Sequence, residues 1–410
     1  MPWIIRRQGG SVLPILLVLY VAQSLPMAFF STILPIVLRQ ESYSLTQITL
    51  LQLIKLPWIL KFVWAPWVDR QTTTPSSLRR MIVVSEIVYA LLILGLSFLN
   101  LEAQLIPIFV CMLLSFVASS VQDIAVDKFA ICSLKSKRRS LGNAMQSGGN
   151  FLGSLVGSGL IVALYYYAGW RVSVLLLASI ALIVLIPFVL WSREASKVDE
   201  MMARVSLQDE QPSAVRLIMS YYKSIPCRRY FVGLMLYFAP IMPLMVLIKP
   251  LLIDWGLGVQ TVAMLLGVWG SAVAALASFV GGQLMRRLSS LVSLRLIYTL
   301  TVVVSFFLAF IARQDPSIPL IFLGIAGLWS VYALSNVYLY TMSMGHVRKG
   351  SEGTDFTLQT IVAQLGGMLF SAGVGGWGDA LGYPVVFGTI AIFALLLSLI
   401  SPRLLCLIET

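Results

Sequence analysis

Lys55, Lys61, Lys128 and Lys249 stand inside stretches of sequence that are otherwise apolar, as do the carboxylates Glu86, Asp123 and Asp127. A charge in hydrocarbon costs at least about 2.5 kcal/mol unless it is paired, hydrated or neutralised, so each is a candidate for chemistry. Asp123 and Asp127 are four residues apart, on one face of a helix. At ~1.5 Å per residue, Lys61 and Asp123 lie at matching depths, roughly 12 Å from the inner ends of their stretches. Lys61 can then bridge to either acid while the other exchanges a proton; a static ion pair that fixes helix packing explains the same spacing. Lys55, near the middle of its stretch, either contacts an anionic ligand or snorkels, and Lys249, beside Pro250, is expected to snorkel. Tyr20, Gln23, Gln146, Asn150, Tyr237, Asn336 and Gln359 would add uncharged hydrogen-bonding groups and aromatic faces, a lining suited to a mid-sized amphipathic solute. Satisfaction of buried polar groups accounts for any one of them equally well.

The elements that must position these residues are twelve apolar stretches: 12–38, 46–66, 81–98, 105–130, 141–165, 172–191, 230–252, 261–285, 296–312, 318–344, 356–375 and 385–404. With 59% hydrophobic residues, 11% charged residues and a mean hydropathy of +0.90, the chain is an all-α integral membrane protein. The gaps on one side hold 22 of the 29 Lys and Arg residues and those on the other only Arg39, Arg171 and Arg313, which places both termini in the cytoplasm. That bias also accounts for the net charge of +12 without nucleic acid. The first stretch is too long for a signal peptide and lacks a small-residue cleavage site, so it is expected to remain as a span. The four cysteines have no paired spacing; no disulfide, metal or cofactor is expected. The single histidine, His346, sits at a helix end, and no HExxH, phosphate loop or nucleophile elbow is present. An enzyme working through Asp123 and Asp127, and a sensor, are the minor rivals; a sensor needs a soluble module larger than the central loop.

That loop, 192–229, divides the chain into six-span halves, 1–191 and 230–410. Its amphipathic pieces, such as 215–222, either lie on the membrane surface or serve as plain linker. The halves repeat each other. Leu19-Tyr20-x-Ala22-x-x-x-Pro26 recurs as Leu236-Tyr237-x-Ala239-x-x-x-Pro243, and Gln146 and Gly153 recur at constant offset as Gln359 and Gly366, which sets Asn336 opposite Asp123. Pro26 and Pro35, and Pro240, Pro243 and Pro250, allow bends in the first helix of each half. Gly148, Gly149, Gly153, Gly157 and Gly159 allow close helix approach in the fifth span. Parallel six-span halves joined by a cytoplasmic loop are the organisation of the major facilitator superfamily.

The run Leu56-Pro57-Trp58-Ile59-Leu60-Lys61-Phe62-Val63-Trp64-Ala65-Pro66-Trp67-Val68-Asp69-Arg70 resembles the AmpG-like branch of that superfamily, which includes muropeptide permeases, acetyl-CoA transporters and rhizobactin and pyochelin siderophore importers. Similar segments are 19–26, Gln122-Asp123-Ile124-Ala125-Val126-Asp127, 141–146 and Gly353-Thr354-Asp355-Phe356-Thr357-Leu358-Gln359. Ser24 departs from the Gly common in relatives, the loop after Asp69-Arg70 is irregular, and the fourth span lacks the Arg of many proton antiporters. The resemblance implies that Asp69, Arg70, Arg79 and Arg80 form a cytoplasmic gate; Glu86, an acid within the third span, is a weaker candidate for proton relay because that helix is peripheral in this fold. It implies a monomeric, proton-driven importer in an inner membrane. The 353–359 segment, together with the count of twelve spans, points to a siderophore or metal chelate as solute, with an anhydro-muropeptide as the alternative.

Overall fold

The computed structural model describes residues 12–40, 54–100, 104–203, 225–314 and 316–405, and its regular structure there is helical throughout. The amphipathic piece at 215–222 and the start of the second stretch, 46–53, lie outside the described residues. Two compact units form. One comprises Met1–Ala214 with Val347–Thr357, the other Val215–His346 with Leu358–Thr410. A short segment of the second sequence half therefore packs with the first.

In the first unit, α1 (Val12–Gln40) is followed by a second span broken into α2 (Leu56–Leu60), a 3₁₀ turn (Lys61–Val63) and α3 (Ala65–Gln71). The sequence reads as one continuous span here. Pro57 and Pro66 each lack the N–H that an uninterrupted helix needs, and the resulting turn carries Lys61. Next come α4 (Pro75–Leu96), α5 (Leu105–Ser133), α6 (Arg139–Leu155) and α7 (Val162–Ala203). α4 opens on a Thr74–Ser77 capping box with Pro75 in its first turn. α6 runs into α7 through a π-helical turn, Val156–Ile161. Gly169, at φ 78°, interrupts α7 and separates the fifth span from the sixth.

The second unit contains α8 (Ile225–Tyr237), α9 (Met242–Asp254), α10 (Val259–Met264), α11 (Gly270–Arg287), α12 (Ser290–Ile311), α13 (Ile318–Ser343), most of α14 (Glu352–Leu381) and α15 (Tyr383–Leu404). The expected bend in the seventh span is a break between α8 and α9 around Pro240. A π-helical turn, Leu265–Trp269, joins α10 to α11.

Nine helical stretches among the described residues are long and apolar enough to cross a membrane. One of them, Ser136–Trp191, holds two spans because of Gly169, and the broken second span and α4 complete the twelve-span fold.

The matched glycines do the same work in each unit. A Cβ on Gly153 would fall 2.6 Å from Val21 O of α1, and one on Gly366 would fall 2.0 Å from Met235 O of α8. Each absent methyl lets the fifth helix of its half lie against the first. The interiors differ. Phe29, Phe30, Tyr89 and Phe116 fill the first unit beside Trp170, whereas Tyr237, Phe238, Tyr298 and Tyr338 fill the second.

Candidate functional site

Three of the charged residues within the spans of the first unit, Lys61, Asp123 and Asp127, come together between the broken second span and α5. Lys61, carried on the 3₁₀ turn, places Nζ 2.6 Å from Asp123 Oδ2 and 5.6 Å from the Trp58 ring centroid. One turn along α5, Asp127 Oδ1 accepts hydrogen bonds from Tyr20 Oη of α1 at 2.5 Å and Gln146 Nε2 of α6 at 2.9 Å. Asp127 Oδ2 has no hydrogen-bond partner among the described residues. Gln23 Nε2 donates to Ser119 O at 3.3 Å and to Gln122 Oε1 at 2.5 Å; with the amide reversed it reaches Asp123 Oδ1 at 3.1 Å. Lys61 is 8% exposed, Asp123 3% and Asp127 1%. Two buried acids therefore lie beside one buried lysine, with α1 and α6 supplying neutral donors around them.

A second ionic cluster lies at the end of the same pair of elements, with the charges exchanged. Lys128 of α5 places Nζ 2.9 Å from Asp69 Oδ1 of α3, donates to Asp69 O at 3.3 Å, and lies 3.9 Å from Glu352 Oε2. Asp69 caps the first turn of α14. Its Oδ1 accepts from Gly353 N at 3.1 Å, and its Oδ2 from Thr354 N at 2.7 Å and Thr354 Oγ1 at 2.6 Å. A carboxylate at a helix N-terminus meets free N–H groups and the positive end of the helix dipole. A Cβ on Gly353 would fall 2.9 Å from Ile124 and 3.0 Å from Asp69 Oδ1, so the approach depends on glycine. Arg348 closes the turn with paired contacts to Asp355, from Nε at 2.9 Å and Nη2 at 2.7 Å.

Of the residues singled out from sequence, Tyr20, Gln23, Lys61, Asp123, Asp127 and Gln146 converge. Asn150 is half-buried one turn beyond Gln146, and Lys55 is half-buried at the entry to α2. Lys249 is exposed on α9. Arg70 and Arg80 are exposed and Arg79 is half-buried, while Asp69 is taken up by Lys128 and the α14 turn. Sequence reasoning assigned Lys128 and Thr354 no role. Lys128 was visible as a lysine inside a span, and Thr354 as part of a recognisable segment, but their partnership through Asp69 required the fold.

The second unit arranges its candidates differently. Tyr237 donates to Ser335 O at 3.0 Å and stacks on Tyr338 inside the aromatic core. Asn336 donates to Tyr332 O of its own helix at 3.1 Å. Gln359 Oε1 accepts from Tyr230 at 2.6 Å, and its Nε2 donates to Ser343 O and His346 O, so it ties down the end of α13 about 10 Å along the helix from Asn336. In the first unit, Glu86 is fully buried on α4, and neither carboxyl oxygen has a hydrogen-bond partner among the described residues.

Comparison with known proteins gives a consistent result. The model of the Major Facilitator Superfamily matches residues 16–371. The anhydromuropeptide permease of Escherichia coli strain K12 is 30% identical over 159 residues, 38% of this chain and 32% of the permease. An uncharacterized protein of Haemophilus influenzae is 28% identical over 148 residues, 36% of this chain and 35% of that protein. The chain matches about a third of the length of these curated relatives. Among solved structures, the human organic anion transporter MFSD10 (TETRAN) superposes with a TM-score of 0.69 at 15% identity, covering 97% of this chain and all of that one (100%). A bacterial homologue of the iron transporter ferroportin, in an outward-facing state, gives 0.67 at 16% identity, covering 97% and 98%. Both show the fold.

Proposed function

The chain belongs to the major facilitator superfamily and is a multi-pass membrane transporter, and from that premise we propose a proton-driven importer that sits in an inner membrane with both termini in the cytoplasm. The observation that carries the reading is the unequal count of buried charges: among the described residues, Asp123 and Asp127 have Lys61 as their one buried cation. With all three ionised the cluster keeps a net negative charge out of water, and one proton removes it. Asp127 Oδ2 is the open position for that proton, since Oδ1 is held by Tyr20 and Gln146. Lys61 stays on Asp123 while Asp127 is neutral and is drawn toward Asp127 when the proton leaves. Because Lys61 rides on the break in the second span, this exchange moves backbone as well as side chain. Asp69, Lys128 and the first turn of α14 form the cytoplasmic latch that opens when solute is released inward, with Arg70, Arg79 and Arg80 nearby in sequence.

The solute is a siderophore or similar metal chelate. Segment 353–359 supports this, and Lys55, Gln23 and Asn150 supply groups that suit an anionic, amphipathic molecule. A second reading, uptake of an anhydro-muropeptide, is favoured by the 30% identity to the Escherichia coli permease over 159 residues. Uptake into vesicles carrying the protein distinguishes the two. An imposed proton gradient is expected to drive in an iron-loaded siderophore, and Lys55→Gln to weaken uptake of an anionic chelate more than that of a neutral analogue. Entry of the anhydro-muropeptide and not the chelate would establish the second reading, and gradient-driven loss of both from preloaded vesicles would overturn import.

A further inference from the structure

The coupling cluster leaves one buried acid unused. Glu86 lies midway along α4, eleven residues after Pro75 and ten before Leu96, hence roughly 15 Å from either helix end. It is 0% exposed, and neither carboxyl oxygen has a hydrogen-bond partner among the described residues. The adjacent hydroxyl of Ser85 is directed to its own helix, donating to Met81 O at 2.7 Å.

α4 packs on α5, α7 and α3. The charged residues of those helices are Asp123, Asp127 and Lys128 of α5, Asp69 and Arg70 of α3, and Arg171 of α7, with others beyond Trp191; α4 itself adds Arg79 and Arg80 in its first two turns. Asp69, Asp123, Asp127 and Lys128 are held by the partners described above, and Arg171 lies over the Phe98 ring. Glu86 forms no ion pair with any of these among the described residues. A carboxylate with neither cation nor donor in an apolar interior bears a desolvation cost that nothing among the described residues offsets.

One turn further on, Tyr89 is also fully buried, and its hydroxyl donates to Gln23 O of α1 at 3.4 Å. Gln23 is the residue whose side chain meets Gln122 and, with its amide reversed, Asp123. Charge appearing on Glu86 would thus arise one turn from the hydroxyl that ties α4 to the helix carrying Tyr20 and Gln23.

We infer that Glu86 is a second proton-binding site, occupied in the conformation described here and emptied to water when the packing of α4 on α5 and α7 loosens during the cycle. The step is a simple dissociation, in which the carboxylic O–H bond breaks, its electron pair stays on the carboxylate and the proton passes to water. Its part in transport rests on the proposed reading of a proton-driven importer; the occupancy of the site does not.

The test is built on that separation. Dicyclohexylcarbodiimide labels protonated carboxyls in apolar surroundings, the acid proton passing to a carbodiimide nitrogen as the carboxyl oxygen adds to the central carbon. Applied to the full-length protein in liposomes, it is expected to leave an adduct at residue 86, located by peptide mass spectrometry and decreasing as pH rises. A pH jump on the same preparation, followed with an indicator dye, is expected to release one proton fewer from Glu86→Gln than from the natural protein, with thermal stability unchanged. Absence of the adduct together with equal proton release would overturn the site. For the transport role, Glu86→Gln is expected to cut gradient-driven accumulation of a radio-iron-labelled siderophore at least tenfold while leaving passive exchange intact. Unchanged accumulation would reduce Glu86 to a packing residue. If the natural protein showed no dependence on the proton gradient, the importer reading would fall, and the adduct and proton count would still decide whether Glu86 holds a proton.

Discussion

The two units repeat one plan of helices and fill it with different chemistry. Tyr20 opens the first unit by donating to a carboxylate, Asp127; its counterpart Tyr237 donates to a main-chain carbonyl, Ser335 O, and stacks on Tyr338. Asp123 is paired with Lys61, whereas Asn336 at the corresponding position is satisfied by its own helix. Gln146 reaches Asp127, while Gln359 joins Tyr230 to the end of α13. The glycines that set helix spacing, Gly153 and Gly366, keep one job in both. Backbone packing is thus the shared part of the repeat, and among the described residues the Lys61–Asp123–Asp127 cluster of the first half has no ionic counterpart at the matching positions of the second.

The most damaging way to probe that contrast is Asp123→Asn, which leaves Lys61 beside a neutral amide. We expect gradient-driven accumulation to be lost, some solute binding to persist, and stability in thermal unfolding to fall by about 3–5 kcal/mol. Adding Asn336→Asp should restore none of it; recovery would mean that the second unit can host the same chemistry. Asp69→Asn comes next, because Lys128 then loses its closest counter-charge. A cost of about 2–4 kcal/mol is expected, with faster amide exchange at Gly353 and Thr354, and unchanged exchange there would remove Asp69 from the latch. Gly153→Ala and Gly366→Ala test the shared part. Each inserted methyl meets main chain, so both should destabilise by about 1–3 kcal/mol; a neutral result at only one site would break the equivalence. The smallest expected effect separates the tyrosines. Tyr20→Phe and Tyr237→Phe should each cost about 1 kcal/mol, but only Tyr20→Phe should shift the pH profile of uptake, since only Tyr20 touches an acid.

Depth and periodicity made much of this legible in the sequence. The apolar stretches marked the spans, the repeat of Tyr20 and Gln146 as Tyr237 and Gln359 is the basis for expecting two halves, and matched depths pointed from Lys61 to Asp123. Rotation of one helix about another is not encoded in depth. Hence Tyr20 and Gln146, read from sequence as lining for a solute, are found on Asp127, and Tyr237 is inside a core. The bond from Thr354 to Asp69 joins residues 285 positions apart, a distance over which no local spacing rule operates. The break within the second span is not legible in hydropathy, which is uninterrupted there, while Pro57 and Pro66 act on hydrogen bonds that hydropathy does not register.

The assignment of residues 347–357 to the first unit bears on how such a protein can be recombined. A chimera that joins the front of this chain to the back of a relative would bring a foreign turn to Asp69 and Lys128. Its success depends on whether the donor supplies a glycine small enough for the approach made by Gly353 and a hydroxyl like that of Thr354. The halves are therefore not interchangeable cassettes with a seam at the central loop. Eleven residues from the rear of the gene are co-inherited with the front, and a recombination that respects them has to cut twice.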